Sequence, residues 1–271
     1  MDLGIYSSRA TFCAMTDTNS SPRKVSLFVT CLVDQMFPEV AESTVLLLER
    51  LGVNVEFSKS QTCCGQPAFN SGFWKECKPL AEKFISEYED AEYIVMPSGS
   101  CTSMVKIFYN ELFQDDPEKL SSVGSISKKI YELSEFIVDV LGIEDLSHLS
   151  KKNMSGSKKR RVTYHEACHL RRELGVQSQP RKLIESLGSV ELVEMHQSEV
   201  CCGFGGAFSV KYPEISGAML QDKIENINVS GAAEVVSSDV SCLMHIGGGL
   251  KKRDDKARTI HIAELLCEES M

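Results

Sequence analysis

The chain has 271 residues, 11 cysteines and a formal charge of −9, enough length for one large or two small domains with a buried core. Its acidic balance argues against nucleic acid or an anionic membrane as the main partner, since both attract basic faces. No apolar run approaches the roughly 18 to 20 residues of a spanning helix.

Residues 1–24 are polar and rich in small side chains, and are read as an N-terminal extension without a secretory signal. Eleven cysteines in that setting point to a reducing, cytoplasmic compartment. There, patterned cysteines bind metal or do redox chemistry more often than they form disulfides.

Val25–Thr30 is expected to be a buried strand ending at Cys31. Pro38 opens a helix pattern through Leu51, with proline at a tolerated first-turn position and Gly52 as its stop. Val53–Phe57 alternates apolar and polar residues as a strand does, and the loop after it carries Cys63-Cys64-Gly65. A helix pattern spans Phe73–Tyr88, Tyr93–Met96 is a third strand, and Pro97–Ser100 breaks the chain before Cys101. Helical patterns continue to Phe113 and then from Ile126 to Leu141.

The second half repeats the plan. Arg161–Tyr164 is the strand before Cys168, and Arg181–Leu187 a helix stopped by Gly188. Val190–Met195 is a strand before Cys201-Cys202-Gly203, Ile215–Asn228 is helical, and Glu234–Ser237 precedes Cys242. Leu48–Gly52 corresponds to Ile184–Gly188, and Tyr131–Val138 to Ile260–Cys267. A duplicated unit is the economical reading. It divides the chain into a first half at 25–146, a basic flexible linker at 147–161 and a second half at 162–271.

Strands alternating with helices imply an α/β fold, each half with a mainly parallel sheet. The doublets have matched company: 31 and 32 residues separate them from Cys31 and Cys168, and 36 and 39 from Cys101 and Cys242. Every cysteine of these sets follows a strand. Loops after parallel strands emerge on one side of the sheet, so residues far apart in sequence meet there.

Four thiolates suit an iron–sulfur cluster, [2Fe–2S] or [4Fe–4S], or one structural Zn²⁺; a thiol–disulfide or structural role is the remaining reading. Zinc sites usually use CxxC knuckles, which neither half has. Adjacent cysteines on a regular strand would point to opposite faces, so each doublet needs an irregular loop. Gly65 and Gly203 supply the positive φ for it and let backbone amides approach sulfur.

The motifs Phe28–Asp34, Cys63–Ala68, Pro97–Cys101 and Cys201–Gly206 resemble those of the lactate utilization protein A family. More widely they resemble the CCG cysteine-rich domain of heterodisulfide reductase B subunits and glycolate oxidase iron–sulfur subunits. The resemblance runs from Val25 to the C-terminus. It implies an iron–sulfur electron-transfer subunit of a complex oxidising L-lactate to pyruvate, with a ferredoxin-type iron–sulfur subunit and a small companion as partners. Its implied ligands are Cys31, Cys63, Cys64 and Cys101 for one cluster and Cys168, Cys201, Cys202 and Cys242 for the other. A glycolate oxidase or heterodisulfide-reductase-like complex is the alternative, and a zinc-stapled scaffold is the alternative of another class.

The wider family closes its motif with CxxC, a fifth cysteine for a non-cubane cluster. Here the halves read Cys101-Thr-Ser-Met104 and Cys242-Leu-Met-His245, so one four-cysteine [4Fe–4S] cluster per half is expected. Met104 is read as packing, and His245 as a non-ligand ahead of a ligand, the closer choice of the two because imidazole can bind iron. His165 and His169 flank Cys168 and are candidates to hydrogen-bond cluster sulfur or move a proton. Arg171 and Arg172 either face solvent or bind a 2-hydroxy-acid carboxylate. Gly203–Gly206 lacks the spacing of a nucleotide-binding loop. Cys77 and Cys267 read as small core residues, and Cys13 has no assigned role.

Overall fold

The structure, a computed structural model, describes residues 23–149 and 158–270. Residues 1–22, with Cys13, and the linker stretch 150–157 lie outside the described residues.

Two four-stranded parallel sheets form. β1 (Lys24–Leu27), β2 (Asn54–Phe57), β3 (Tyr93–Met96) and β4 (Ile130–Glu132) lie in the order β2-β1-β3-β4. β5 (Arg160–Tyr164), β6 (Val190–Leu192), β7 (Glu234–Ser237) and β8 (Arg258–His261) repeat it as β6-β5-β7-β8. Parallel neighbours need a crossover, and the apolar-faced helices Pro38–Arg50, Trp74–Tyr88, Ser178–Glu185 and Pro213–Ser230 supply it. The strand order reverses between β1 and β3, and between β5 and β7. In such sheets the crevice beyond the strand ends at that reversal is where ligands bind.

Ile126–Leu141 is not one helix. The helix Pro117–Ser127 ends, β4 pairs with β3 through Ile94–Ile130 and Met96–Glu132, and a new helix starts at Leu133. Apolar residues at 126, 130, 133, 136 and 137 satisfy a helical period. The free edge of β3 decides for a strand, because pairing there satisfies backbone groups that would otherwise be buried unpaired. The linker also ends earlier than expected. Arg160 and Arg161 belong to β5, and Arg160 pairs with Glu234, with Glu268 at 2.7 Å and with Glu269 at 3.1 Å.

The halves share a core. The helix Pro38–Arg50 packs on Ile262–Glu269, so Leu47, Leu48, Leu265 and Leu266 are all fully buried in one cluster with Leu27, Phe136, Tyr164 and Leu183. At roughly 2 kcal/mol for each buried leucine, those four alone approach the net stability of a typical domain. Neither half keeps that contribution without the other. A second cluster around Phe28, Phe84 and Tyr109 and a third around Leu170, Ile224 and Ile246 fill the outer faces. Among the described residues no helix is long and apolar enough to cross a membrane.

Equivalent helix starts follow β4 and β8 with different chemistry. Glu132 accepts from Ser134 N at 2.7 Å and Glu135 N at 3.3 Å, and Glu135 returns a bond to Glu132 N. His261 Nδ1 accepts from Ala263 N at 3.1 Å, and Glu264 closes the same reciprocal pair. Burial pushes the Glu132 carboxyl up from 4.5 to about 7 and holds the His261 imidazole down at about 4. A raised carboxyl contributes its full stability below about pH 4.5 and loses it as pH rises through about 7; the depressed histidine loses its contribution as pH falls towards 4. Glu132→Gln keeps the acceptor without the charge. It is expected to stabilise the protein by about 3 kcal/mol at pH 8 and to leave it unchanged near pH 4, as read by denaturant unfolding at both values.

Candidate metal centre

Cys31 opens the helix Cys31–Met36 after β1, Cys63 and Cys64 lie in the loop after β2, and Cys101 sits in the helix Gly99–Ser103 after β3. Cys31 Sγ is 3.5 Å from Cys63 Sγ, and the Cys64 thiol lies within hydrogen-bonding reach of Cys63 and Cys101. The second quartet has the same chain of contacts. Cys168 opens Cys168–Arg172, Cys201 reaches both Cys168 and Cys202, and Cys202 reaches Cys242 in Val240–Lys252. The ten described cysteines are free thiols.

The doublets depend on their glycines. Gly65 has φ +87° and Gly203 φ +88°, a left-handed turn that brings two successive side chains to one side. The Gly65 amide donates to Cys63 Sγ and the Gly203 amide to Cys201 Sγ, each at 3.4 Å. The space is fully used. A Cβ on Gly65 would meet Cys77 Sγ at 2.7 Å, and one on Gly203 would meet the Ser216 carbonyl at 2.7 Å and Met219 Cβ at 2.9 Å. Cys77, buried as expected, also donates to the Gly65 carbonyl at 3.4 Å; Ser216 Oγ does the same for Gly203 at 2.8 Å.

In each quartet one thiol ionises early at its neighbours' expense. Hydrogen bonds from Cys31 and Cys64 hold Cys63 down at about 3, and those from Cys168 and Cys202 likewise depress Cys201. Cys31, Cys64, Cys168 and Cys202 are pushed up, first by donating to neighbouring sulfur and then by burial. Four thiolates this close repel one another and need a cation between them. Soft sulfur donors fit iron or zinc and do not suit calcium or magnesium. The residues therefore fit a cluster or a thiophilic ion.

Both quartets open onto one cavity of about 260 Å³, lined by all eight cysteines. Gln66, Asn70, His169 and Asp239 add polar groups, and among the described residues no lysine or arginine lines it. Asp239, 1% exposed, joins the halves: its carboxylate accepts from Ser100 N at 2.8 Å and from Ser241 Oγ at 2.6 Å. It ties the Cys101 loop to the Cys242 loop. The two cysteine sets, one per half, are thus neighbours across a shared space.

The other expected residues divide. His165 is fully buried behind the second quartet, and one of its ring nitrogens lies with Cys202 Sγ and Cys242 Sγ within 4.8 Å of one another. Burial first, then the Lys223 ammonium, holds its imidazole down at about 3. His169 lines the cavity with Nδ1 3.3 Å from Glu173 and its ring edge-on to Phe108 at 5.9 Å. His245 is turned away to Ser216 Oγ at 3.3 Å and to the Phe204 ring, and Met104 is packed in the first outer core. Arg171 pairs with Glu166 at 3.0 Å, Arg172 is exposed, and neither reaches the cavity. Cys267 is buried on the helix Ile262–Glu269, and its carbonyl accepts from Arg50 at 3.1 Å. Lys223 and Asp239 went unread in the sequence. Asp239 had a signal, standing three residues before Cys242 as Ser98 does before Cys101. Lys223 looked like any charge on an amphipathic helix, yet it is 1% exposed, with Nζ donating to the Gln197 and Ser198 carbonyls at 2.7 and 3.2 Å.

Comparison with known proteins adds to this geometry. The CCG cysteine-rich domain family matches residues 25–106 and 162–247, one copy per half. Lactate utilization protein A of Bacillus subtilis strain 168 is 44% identical over 243 residues, 90% of this chain and 98% of that protein. The proteins of the same name from Oceanobacillus iheyensis and Geobacillus sp. strain WCH70 are 43% and 46% identical over the same share of this chain, covering 96% and 98% of their own lengths. A solved aspartate racemase homologue from Pyrococcus horikoshii OT3 aligns at 11% identity over 92% of this chain and 97% of its own, with a TM-score of 0.33 that carries no argument.

Proposed function

Because the chain belongs to the CCG cysteine-rich domain family and, within it, to the lactate utilization protein A family, we propose that it serves lactate utilization as an iron–sulfur electron-transfer subunit. The observation that carries this reading is the pair of complete four-thiol sets at equivalent strand ends, facing one cavity. Cys31, Cys63, Cys64 and Cys101 would hold one [4Fe–4S] cluster and Cys168, Cys201, Cys202 and Cys242 the other. Bound clusters supply one-electron transfer at potentials set by charge, hydrogen bonds to sulfur and exposure.

The chain's own residues set those terms. Cys64, Cys101, Cys202 and Cys242 are buried and keep water from the sulfur. The Gly65 and Gly203 amides donate to sulfur and withdraw charge from it. Lys223 adds a buried cation on the side of the second quartet. Among the described residues the cavity offers a carboxylate such as lactate no lysine or arginine partner, and it carries the Asp239 carboxylate. In this reading the oxidation of L-lactate to pyruvate, a two-electron step, is carried out with a partner subunit. The partners in this reading are a ferredoxin-type iron–sulfur subunit and a small companion subunit in the cytoplasm.

Anaerobic purification and reconstitution with iron and sulfide analysis tests the reading. About eight irons and as many sulfides per chain are expected for two four-iron clusters. Fewer than about two irons, with zinc bound instead, would sink it.

A further inference from the structure

The two halves are not chemically equal behind their cysteines. Phe28 and His165 occupy equivalent places, one residue beyond the central strands β1 and β5. Their backbone amides donate to Val95 O at 3.0 Å and Val236 O at 2.8 Å, respectively. Phe28 is closed in by aromatic rings, edge-on to Phe84 at 5.1 Å and Tyr88 at 6.0 Å. In the second half the place of Phe84 is taken by Lys223. The register is set by Cys77 and Ser216, which stand seven residues before Phe84 and Lys223 and donate to the equivalent carbonyls of Gly65 and Gly203. An aromatic pair behind one quartet is thus a histidine–lysine pair behind the other.

Lys223 uses its ammonium on the Gln197 and Ser198 carbonyls, whereas neither ring nitrogen of His165 makes a hydrogen bond of acceptable geometry, though the side chain is fully buried. The Ser198 carbonyl is the acceptor near the ring, and that oxygen already receives Glu166 N and Lys223 Nζ, each at 3.2 Å. Buried polar nitrogens without partners are costly and rare. Here the nitrogen lies with two thiols at a separation that a shared metal group would span. His245 and His169, the other histidines nearby, face Ser216 and Glu173.

We propose that His165 binds the metal group of the second centre directly through an imidazole nitrogen, making that centre a four-cysteine, one-histidine site while the first remains all-thiolate. The inference rests on the metal-centre reading above and deepens it. Lys223, a buried cation behind that quartet and absent from the first, raises the reduction potential of the second centre above that of the first. Electrons then run from the first quartet to the second.

The test is pulsed electron–nuclear resonance on the full chain, reconstituted, one-electron reduced and labelled with ¹⁵N-histidine. A directly coordinated nitrogen is expected on one of the two centres, its frequencies shifting with the label. The coupling should persist in His245→Asn and vanish in His165→Phe, which restores the first-half residue. Should His165→Phe not fold, the labelled wild-type spectrum still decides. Clusters present with no strongly coupled nitrogen, or a coupling that survives His165→Phe, overturn the proposal alone. A chain that binds no metal in either half overturns it together with the reading on which it rests.

Discussion

Cys202→Ala is expected to halve the iron bound per chain and to leave the remaining centre spectroscopically intact. Cys202 is 1% exposed and stands in the middle of its quartet, in reach of both Cys201 and Cys242. Removing it breaks the contact chain from Cys168 to Cys242 and leaves three thiolates and His165 without the thiolate that links them. The first quartet is carried on separate loops after β1, β2 and β3, with its own glycine turn, so its donors are untouched. Iron and sulfide counts with cluster spectra on the purified variant read the outcome. Loss of all iron would mean that the eight cysteines around the common cavity hold one group, and the two-centre assignment would fall.

Gly203→Ala should do comparable damage without removing a ligand. A non-glycine residue at φ +88° is strained by about 1–3 kcal/mol. The new methyl would also lie 2.7 Å from the Ser216 carbonyl and 2.9 Å from Met219 Cβ, an overpacking cost of about 1–3 kcal/mol more. A total near 4 kcal/mol lowers the midpoint of thermal unfolding by roughly 10 °C, and the doublet cannot present both sulfurs, so the second centre should be lost as well. Gly65→Ala is the control with an exit. Its methyl meets the Cys77 sulfur rather than a carbonyl, so adding Cys77→Ala should recover part of the lost stability, leaving the φ strain. Full tolerance of Gly203→Ala, with iron retained, would show that the turn does not set the doublet's geometry.

Most of the fold was legible because its signals are local. β3 and β7 have the bounds that the apolar runs Tyr93–Met96 and Glu234–Ser237 announce, and the helices Pro38–Arg50 and Trp74–Tyr88 differ from their sequence patterns by one residue at an end. The miss at Ile126–Leu141 arose where one apolar pattern suits two periods and an unpaired sheet edge chose between them. Arg160 and Arg161 read as part of a basic tract, and their acidic partners at 234, 268, 269 and 191 are invisible to any window of sequence.

The sequence by itself determined the thiol pattern. Eight cysteines in two matched quartets, each doublet closed by a glycine, require strand-end loops and a left-handed turn, because adjacent side chains share a side in no regular strand. Tertiary structure alone decided how the quartets relate. The Leu47–Leu266 core presses the halves together, and Asp239 bridges Ser100 to Ser241, so two loop clusters that spacing separates by a linker face one cavity. It also decided that His165 is buried beside Cys202 and Cys242 while Phe28 fills the same place behind the first quartet. Spacing is a property of one strand and its loop, whereas an unpaired nitrogen is a property of everything packed around it.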